Sequence, residues 1–200
     1  MQVTSVNVGA IREVEWRGQT VQTGIWKHSV DGPVALRGVN FVGDDQADRT
    51  VHGGADKAVY AYSIEDYEFW AKRERFAVGP TVFGENLTVQ GIDLTSALVG
   101  DRWRVGTALL EVAQPRLPCF KLGIRVGDPR FLKRFQLAIR PGAYLRIIEE
   151  GAIQAGDRIE VVERPAHTVT MGLMVEAVWD PAKARAIQVA PPLPENWRAE

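Results

Sequence analysis

The stretch RWRVGTALLEVAQ (residues 102–114) sets β-branched, aromatic and aliphatic residues in strand-like alternation on either side of a Gly-Thr step. The same pattern extends from it in both directions: VTSVNVG, TVQTGIWK, VALRGVNFVGD, KAVYAYS and NLTVQG precede it, and AYLRIIEE and DRIEVVER follow. Roughly nine short strands bounded by Gly, Asp and Pro predict a mostly β chain rolled into a closed or nearly closed barrel. Gly-Asp-Arg at 100–102 and again at 156–158 reads as a tight turn entering a strand in each case, not as a repeat.

Two short helices interrupt the strands. Ser63 stands as an N-cap with Asp66 three residues on, and Ile64, Tyr67 and Ala71 share a face. Asp128 and Pro129 open a second helix with Phe131, Leu132 and Phe135 as its apolar stripe. Residues 1–165 read as the barrel domain and 166–200 as a short C-terminal extension. That extension is expected to hold a strand-like stretch, one helix over DPAKARAIQ (180–188) and an extended Pro-rich tail, VAPPLPENWRAE.

The chain has 200 residues, with 24 Lys plus Arg against 25 Asp plus Glu, so no overall field favours nucleic acid or an anionic membrane. Any anion site must be local. No apolar run is long enough to span a bilayer and no leader is evident, so the chain reads as cytoplasmic. Among familiar motifs, no P-loop, no Rossmann fingerprint, no HExxH and no paired Cys/His spacing occurs.

Just past the opening stretch, QPRLPCFK (114–121) holds the single cysteine, Cys119, behind Pro118 and between Arg116 and Lys121. A thiolate is the form that attacks or ligates, and nearby cations favour it. The residues alone leave Cys119 open as a buried small hydrophobe, a soft-metal ligand or a nucleophile with His52 as base. In DRTVHGGADK (48–57), Gly53 and Gly54 let backbone N–H groups approach a bound group, and Lys57 adds charge. In FGENLTV (83–89), Glu85 and Asn86 offer an acceptor and an amide, and Arg140 and Arg146 flank a glycine turn in RPGAYLRI.

Taken in order, His52-Gly53-Gly54, Asp56-Lys57, Gly84-Glu85-Asn86-Leu87, Gly100-Asp101, Arg116-x-Pro118-Cys119-x-Lys121, Gly142-x-Tyr144-x-Arg146 and Gly156-Asp157 resemble the MOSC-domain family, in its stand-alone bacterial YiiM-like branch. The resemblance covers about residues 1–165. It implies a β-barrel-rich fold, a molybdenum cofactor (a Mo-pyranopterin) and Cys119 as the protein's sulfur ligand to the metal. It also implies reduction of N-hydroxylated compounds, N-hydroxylated nucleobases among them, to amines, with electrons from an external redox protein. Arg116, Lys121, Arg146, Lys57, Gly53 and Gly54 are then candidates for the cofactor's phosphate, Asn86 and Glu85 for the pterin or metal, and His52 or Glu85 for proton supply. A non-catalytic carrier of the cofactor or of sulfur is the alternative. The branch often carries a three-helix C-terminal extension, whereas the residues after 165 here have room for about one strand-like stretch, one helix and a Pro-rich tail. No PLP-binding or ferredoxin-like domain is evident, and the oligomeric state is open between monomer and homodimer.

Overall fold

The computed structural model describes residues 1–47 and 53–199. In chain order the strands are β1 (Gln2–Val8), β2 (Arg12–Trp16), β3 (Gln19–Thr23), β4 (His28–Val30), β5 (Val34–Arg37), β6 (Asn40–Phe41), β7 (Val59–Ser63), β8 (Leu87–Gln90), β9 (Arg102–Val105), β10 (Ala108–Gln114), β11 (Ala143–Glu149), β12 (Gly151–Ile153) and β13 (Ile159–Glu163). The helices are α1 (Ile64–Ala71), α2 (Phe120–Val126), α3 (Phe131–Leu137), α4 (Met171–Ala177) and α5 (Pro181–Ala186).

Eight strands form one sheet in the order β13-β9-β10-β11-β7-β8-β1-β4, with β7 and β8 parallel and the other pairs antiparallel. It curls into a half-barrel. The curl brings the β13 end back to β1: Val3 N donates to Asp157 O (2.9 Å), Gly156 N to Val3 O (2.8 Å) and Ile159 N to Met1 O (3.0 Å). The two Gly-Asp turns behave alike. Gly100 and Gly156 both take positive φ (87° and 91°), and each following aspartate accepts a backbone N–H from three residues upstream.

The opening stretch of the sequence is the buried spine. All seven residues of β10 are buried, and they pair with β9 on one side and β11 on the other. The main apolar cluster fills the curl. A second cluster lies under α1 and α3, where Tyr62, Tyr67, Trp70, Phe83, Phe131 and Phe135 stack or meet edge to face at centroid distances of 5.0–6.4 Å.

Ser63 caps α1 as expected, accepting from Asp66 N at 3.1 Å. The buried face is Asp66, Tyr67 and Trp70, however, not Ile64 and Ala71, because the aromatic cluster lies on that side. Asp128 sits before α3 and accepts from Arg130 N at 2.9 Å, and Arg130 is the capping position.

The expected extended tail is corrected by the structure. Residues 166–199 contain two α-helices and two 3₁₀ turns (Ile187–Val189, Glu195–Trp197), and Val169, Met171, Met174, Ile187 and Leu193 are buried in the main core. Pro181 opens α5 and Pro194 precedes the last 3₁₀ turn, while Trp197 ties the segment down by donating Nε1–H to Gln114 Oε1 at 2.9 Å. Among the described residues, no helix is long and apolar enough to cross a membrane.

Candidate functional site

β10 ends at Gln114, and the chain turns through Pro115–Pro118 into α2, leaving Cys119 half-buried at the helix start with extended backbone (φ −120°, ψ 170°). Cys119 opens onto a pocket whose wall also includes Ile25, Lys27, Asp44, Lys57, Tyr60, Gly84, Asn86, Arg116, Leu117, Lys121 and Tyr144. Four cationic side chains, Lys27, Lys57, Arg116 and Lys121, line it with the carboxylates of Asp44 and Asp45. The local basic pocket allowed by a near-neutral chain is present.

Arg116 is the most telling of these. It is 7% exposed, donates from Nη1 to Phe83 O, and holds its guanidinium 5.0 Å from the Tyr60 ring centroid. No carboxylate pairs with it among the described residues. Burial works against its charge, and Tyr60, Tyr144 and Cys119 outweigh that effect, so its pKa is raised further. A buried guanidinium has five N–H donors to satisfy, and Phe83 O with the Tyr60 side chain takes up only part of them.

Opposite stands an ion pair that the sequence reading did not single out. Lys27 and Asp44 are in contact, with side chains 7% and 3% exposed. Asp44 also accepts from Gly9 N and Asn86 Nδ2, both at 2.8 Å. Burial pulls the Lys27 pKa down, against the pull of Asp44. The signal for Lys27 was available, as a lysine inside the alternating stretch TVQTGIWK, but strand alternation with an outward lysine reads the same way.

Asn86 lines the pocket as a structural clamp. Its amide carbonyl accepts from Tyr60 N (3.1 Å) and its Nδ2 reaches Asp44 and Asn7 O. Gly84, at φ 73°, is needed for close approach: a Cβ would lie 2.7 Å from Ile25 Cγ1.

The other expected residues are placed elsewhere. Glu85 is fully buried beneath the pocket, not on its wall, and accepts from Tyr67 Oη (2.6 Å), Thr81 N (2.6 Å) and Thr88 Oγ1 (2.9 Å). Burial raises its pKa, opposed by those hydrogen bonds. Arg146 is absent from the wall: it pairs with Asp56 and Glu111 and donates to Pro192 O at 2.9 Å, so its donors are taken up by the fold. Gly53 and Gly54 also lie off the wall, and Gly54 N donates to Gln46 Oε1 (2.9 Å). His52 lies outside the described residues.

Among the described residues, no three His, Cys, Asp or Glu side chains cluster as metal ligands. A metal held here would take one soft donor from the chain and the rest from a cofactor. A phosphate-bearing, thiolate-accepting group fits this donor set: Cys119 suits a soft metal, and Arg116 with the three lysines suits an anion.

A model of the MOSC domain matches residues 48–160. The chain is 35% identical to uncharacterized protein YflK of Bacillus subtilis over 98% of its own length and 91% of the relative's. It is also 35% identical to protein YiiM of Escherichia coli over 70% of this chain and 64% of that protein, and to a protein named reductase from Gibberella moniliformis over 80% of this chain. The chain spans under two thirds of YiiM and only 29% of the fungal reductase. Among solved structures, YiiM from Geobacillus stearothermophilus superposes with a TM-score of 0.79 at 30% identity, covering 98% of this chain and 94% of that one. YiiM from Escherichia coli gives 0.76 at 26% identity, covering 98% and 89%.

Proposed function

Because the chain belongs to the MOSC domain family, we propose that it is a molybdenum-cofactor-dependent reductase of N-hydroxylated compounds, with Cys119 as the protein's thiolate ligand to the metal. The observation that carries this reading is the half-buried thiol of Cys119 beside a buried Arg116 that has no carboxylate partner among the described residues. Such a site is built for an anionic group with a soft metal. When bound, the Mo-pyranopterin supplies two-electron redox chemistry.

The chain's own residues do the rest. Cys119 holds the metal, and Arg116, Lys57 and Lys121 neutralise the cofactor's phosphate from one wall. Asn86 and Asp44 fix Lys27 on the other wall, and Ile25, Leu117 and the two tyrosines exclude water. Overall, R–NH–OH takes two electrons and two protons to give R–NH₂ and water. The electrons come from an external redox protein and the substrate is a small molecule. A free thiol suits a reducing cytoplasm.

The test is amine formation from an N-hydroxylated cytosine with reduced benzyl viologen as artificial donor, using protein purified from a host that makes the cofactor. Steady formation of cytosine supports the reductase. A second reading, a carrier of the same cofactor, is favoured by one observation: Glu85, one of the two residues expected to supply a proton, lies under the pocket with its carboxylate engaged by Tyr67, Thr81 and Thr88. Stoichiometric metal without any cytosine would establish the carrier.

A further inference from the structure

The chain has four tyrosines, and three of them end in a hydrogen bond inside the fold. Tyr60 donates to Pro141 O at 2.8 Å, Tyr62 to Arg140 O at 3.1 Å, and Tyr67 to Glu85 Oε2 at 2.6 Å. The fourth is Tyr144, and its hydroxyl makes no hydrogen bond among the described residues. It is also one of the two tyrosines on the Cys119 pocket wall.

Its position is firmly set. Tyr144 lies in β11 opposite Gln114 of β10 and Tyr60 of β7, with its ring centroid 4.9 Å from that of Tyr60. Held on the middle of three paired strands and tilted against the Tyr60 ring, the ring has little freedom to turn its hydroxyl elsewhere. Burial raises the phenol's pKa and Arg116 opposes that only in part, so the group carries its proton at neutral pH. Facing the pocket without a partner in the fold, the hydroxyl keeps its hydrogen-bonding capacity for a group bound there.

We propose that Tyr144 is the specificity residue of the site, donating its phenolic O–H to the oxygen of the substrate's N–O group. The inference rests on the reductase reading. It involves a hydrogen bond and no covalent step. The amine product lacks the oxygen and therefore loses the bond, so the same contact that selects the substrate lets the product go.

The experiment compares wild type with Tyr144→Phe, which keeps the ring and removes only the hydroxyl. Affinities for N-hydroxylated cytosine and for cytosine are measured by calorimetry on oxidised, metal-loaded protein without reductant, so that nothing turns over. Wild type is expected to prefer the N-hydroxylated form by about tenfold, and the variant to bind the two about equally. Molybdenum content and thermal midpoint should be unchanged, while viologen-driven kcat/KM falls about tenfold. An unchanged affinity ratio in the variant overturns the proposal. So does a parallel loss of molybdenum, which would mean that the hydroxyl touches the cofactor. A wild type that holds no metal or forms no cytosine sinks the reductase reading itself, an outcome distinct from active wild type with an indifferent Tyr144→Phe.

Discussion

Arg116, in the turn that follows β10, and Arg146, on the neighbouring strand β11, have the same guanidinium, yet they stand in opposite electrical surroundings. Arg146, 17% exposed, is closed in by Asp56, Glu111 and the carbonyl of Pro192. Arg116, more buried still, has one backbone carbonyl and an aromatic face. A cation balanced within the fold serves the fold. One left unbalanced next to a thiol is, on the reading proposed above, the place for an anion from outside.

The strongest way to break this contrast is to remove residues 166–200, which deletes Pro192 and so opens the Arg146 network. Val169, Met171, Met174, Ile187 and Leu193, each at most 2% exposed, would be removed and leave the main core open where they packed. At roughly 2 kcal/mol for each buried side chain the loss is about 10 kcal/mol, the order of a domain's whole stability. The truncated chain is expected to be insoluble or molten by near-ultraviolet circular dichroism. A folded, cooperative 1–165 fragment would show that the segment is an accessory.

Arg146→Ala comes next, with an expected loss of about 2 kcal/mol in urea unfolding, because Asp56 loses its counter-charge and Glu111 is left with Arg102 alone. Its metal content should be close to that of wild type. Arg116→Met is predicted to do the reverse: stability within about 1 kcal/mol of wild type, since an unbalanced buried charge is removed, but cofactor retention sharply reduced. If the Arg146 variant loses metal and the Arg116 variant keeps it, the assignment of roles is inverted.

Glu85 gives the smallest and most specific effect. Its folded carboxyl holds a proton more tightly than the ordinary value of 4.5, so the folded state gains relative to the unfolded chain below that value. That contribution is lost as pH rises from about 4.5 through the raised pKa. The stability difference between wild type and Glu85→Gln should therefore shift against wild type across that window and level off above it. A difference that stays flat with pH would show that the carboxyl is not perturbed.

Much of this was legible in the sequence. Alternation around 102–114 exposed the sheet, Ser63 and the Gly-Asp pairs marked real caps and turns, and Cys119, Arg116, Lys121, Lys57 and Asn86 do meet at one pocket. The rest depended on partners distant in the chain. Arg146 looked like a phosphate ligand because nothing local reveals Asp56 or Glu111 beside it, 90 and 35 residues away. Glu85 looked available because a polar residue in a turn reads as exposed, whereas Tyr67, Thr81 and Thr88 close around its carboxylate inside the fold. The Pro-rich tail read as extended because prolines exclude long helices but not short ones packed on a core.

The measurement that bears most directly on the central claim is molybdenum per chain, by elemental mass spectrometry, in wild type and Cys119→Ser purified anaerobically from a cofactor-producing host. Near-stoichiometric metal in wild type and its loss in the variant is the predicted result. No metal in wild type, or equal metal in both, would contradict Cys119 as the ligand that organises this site.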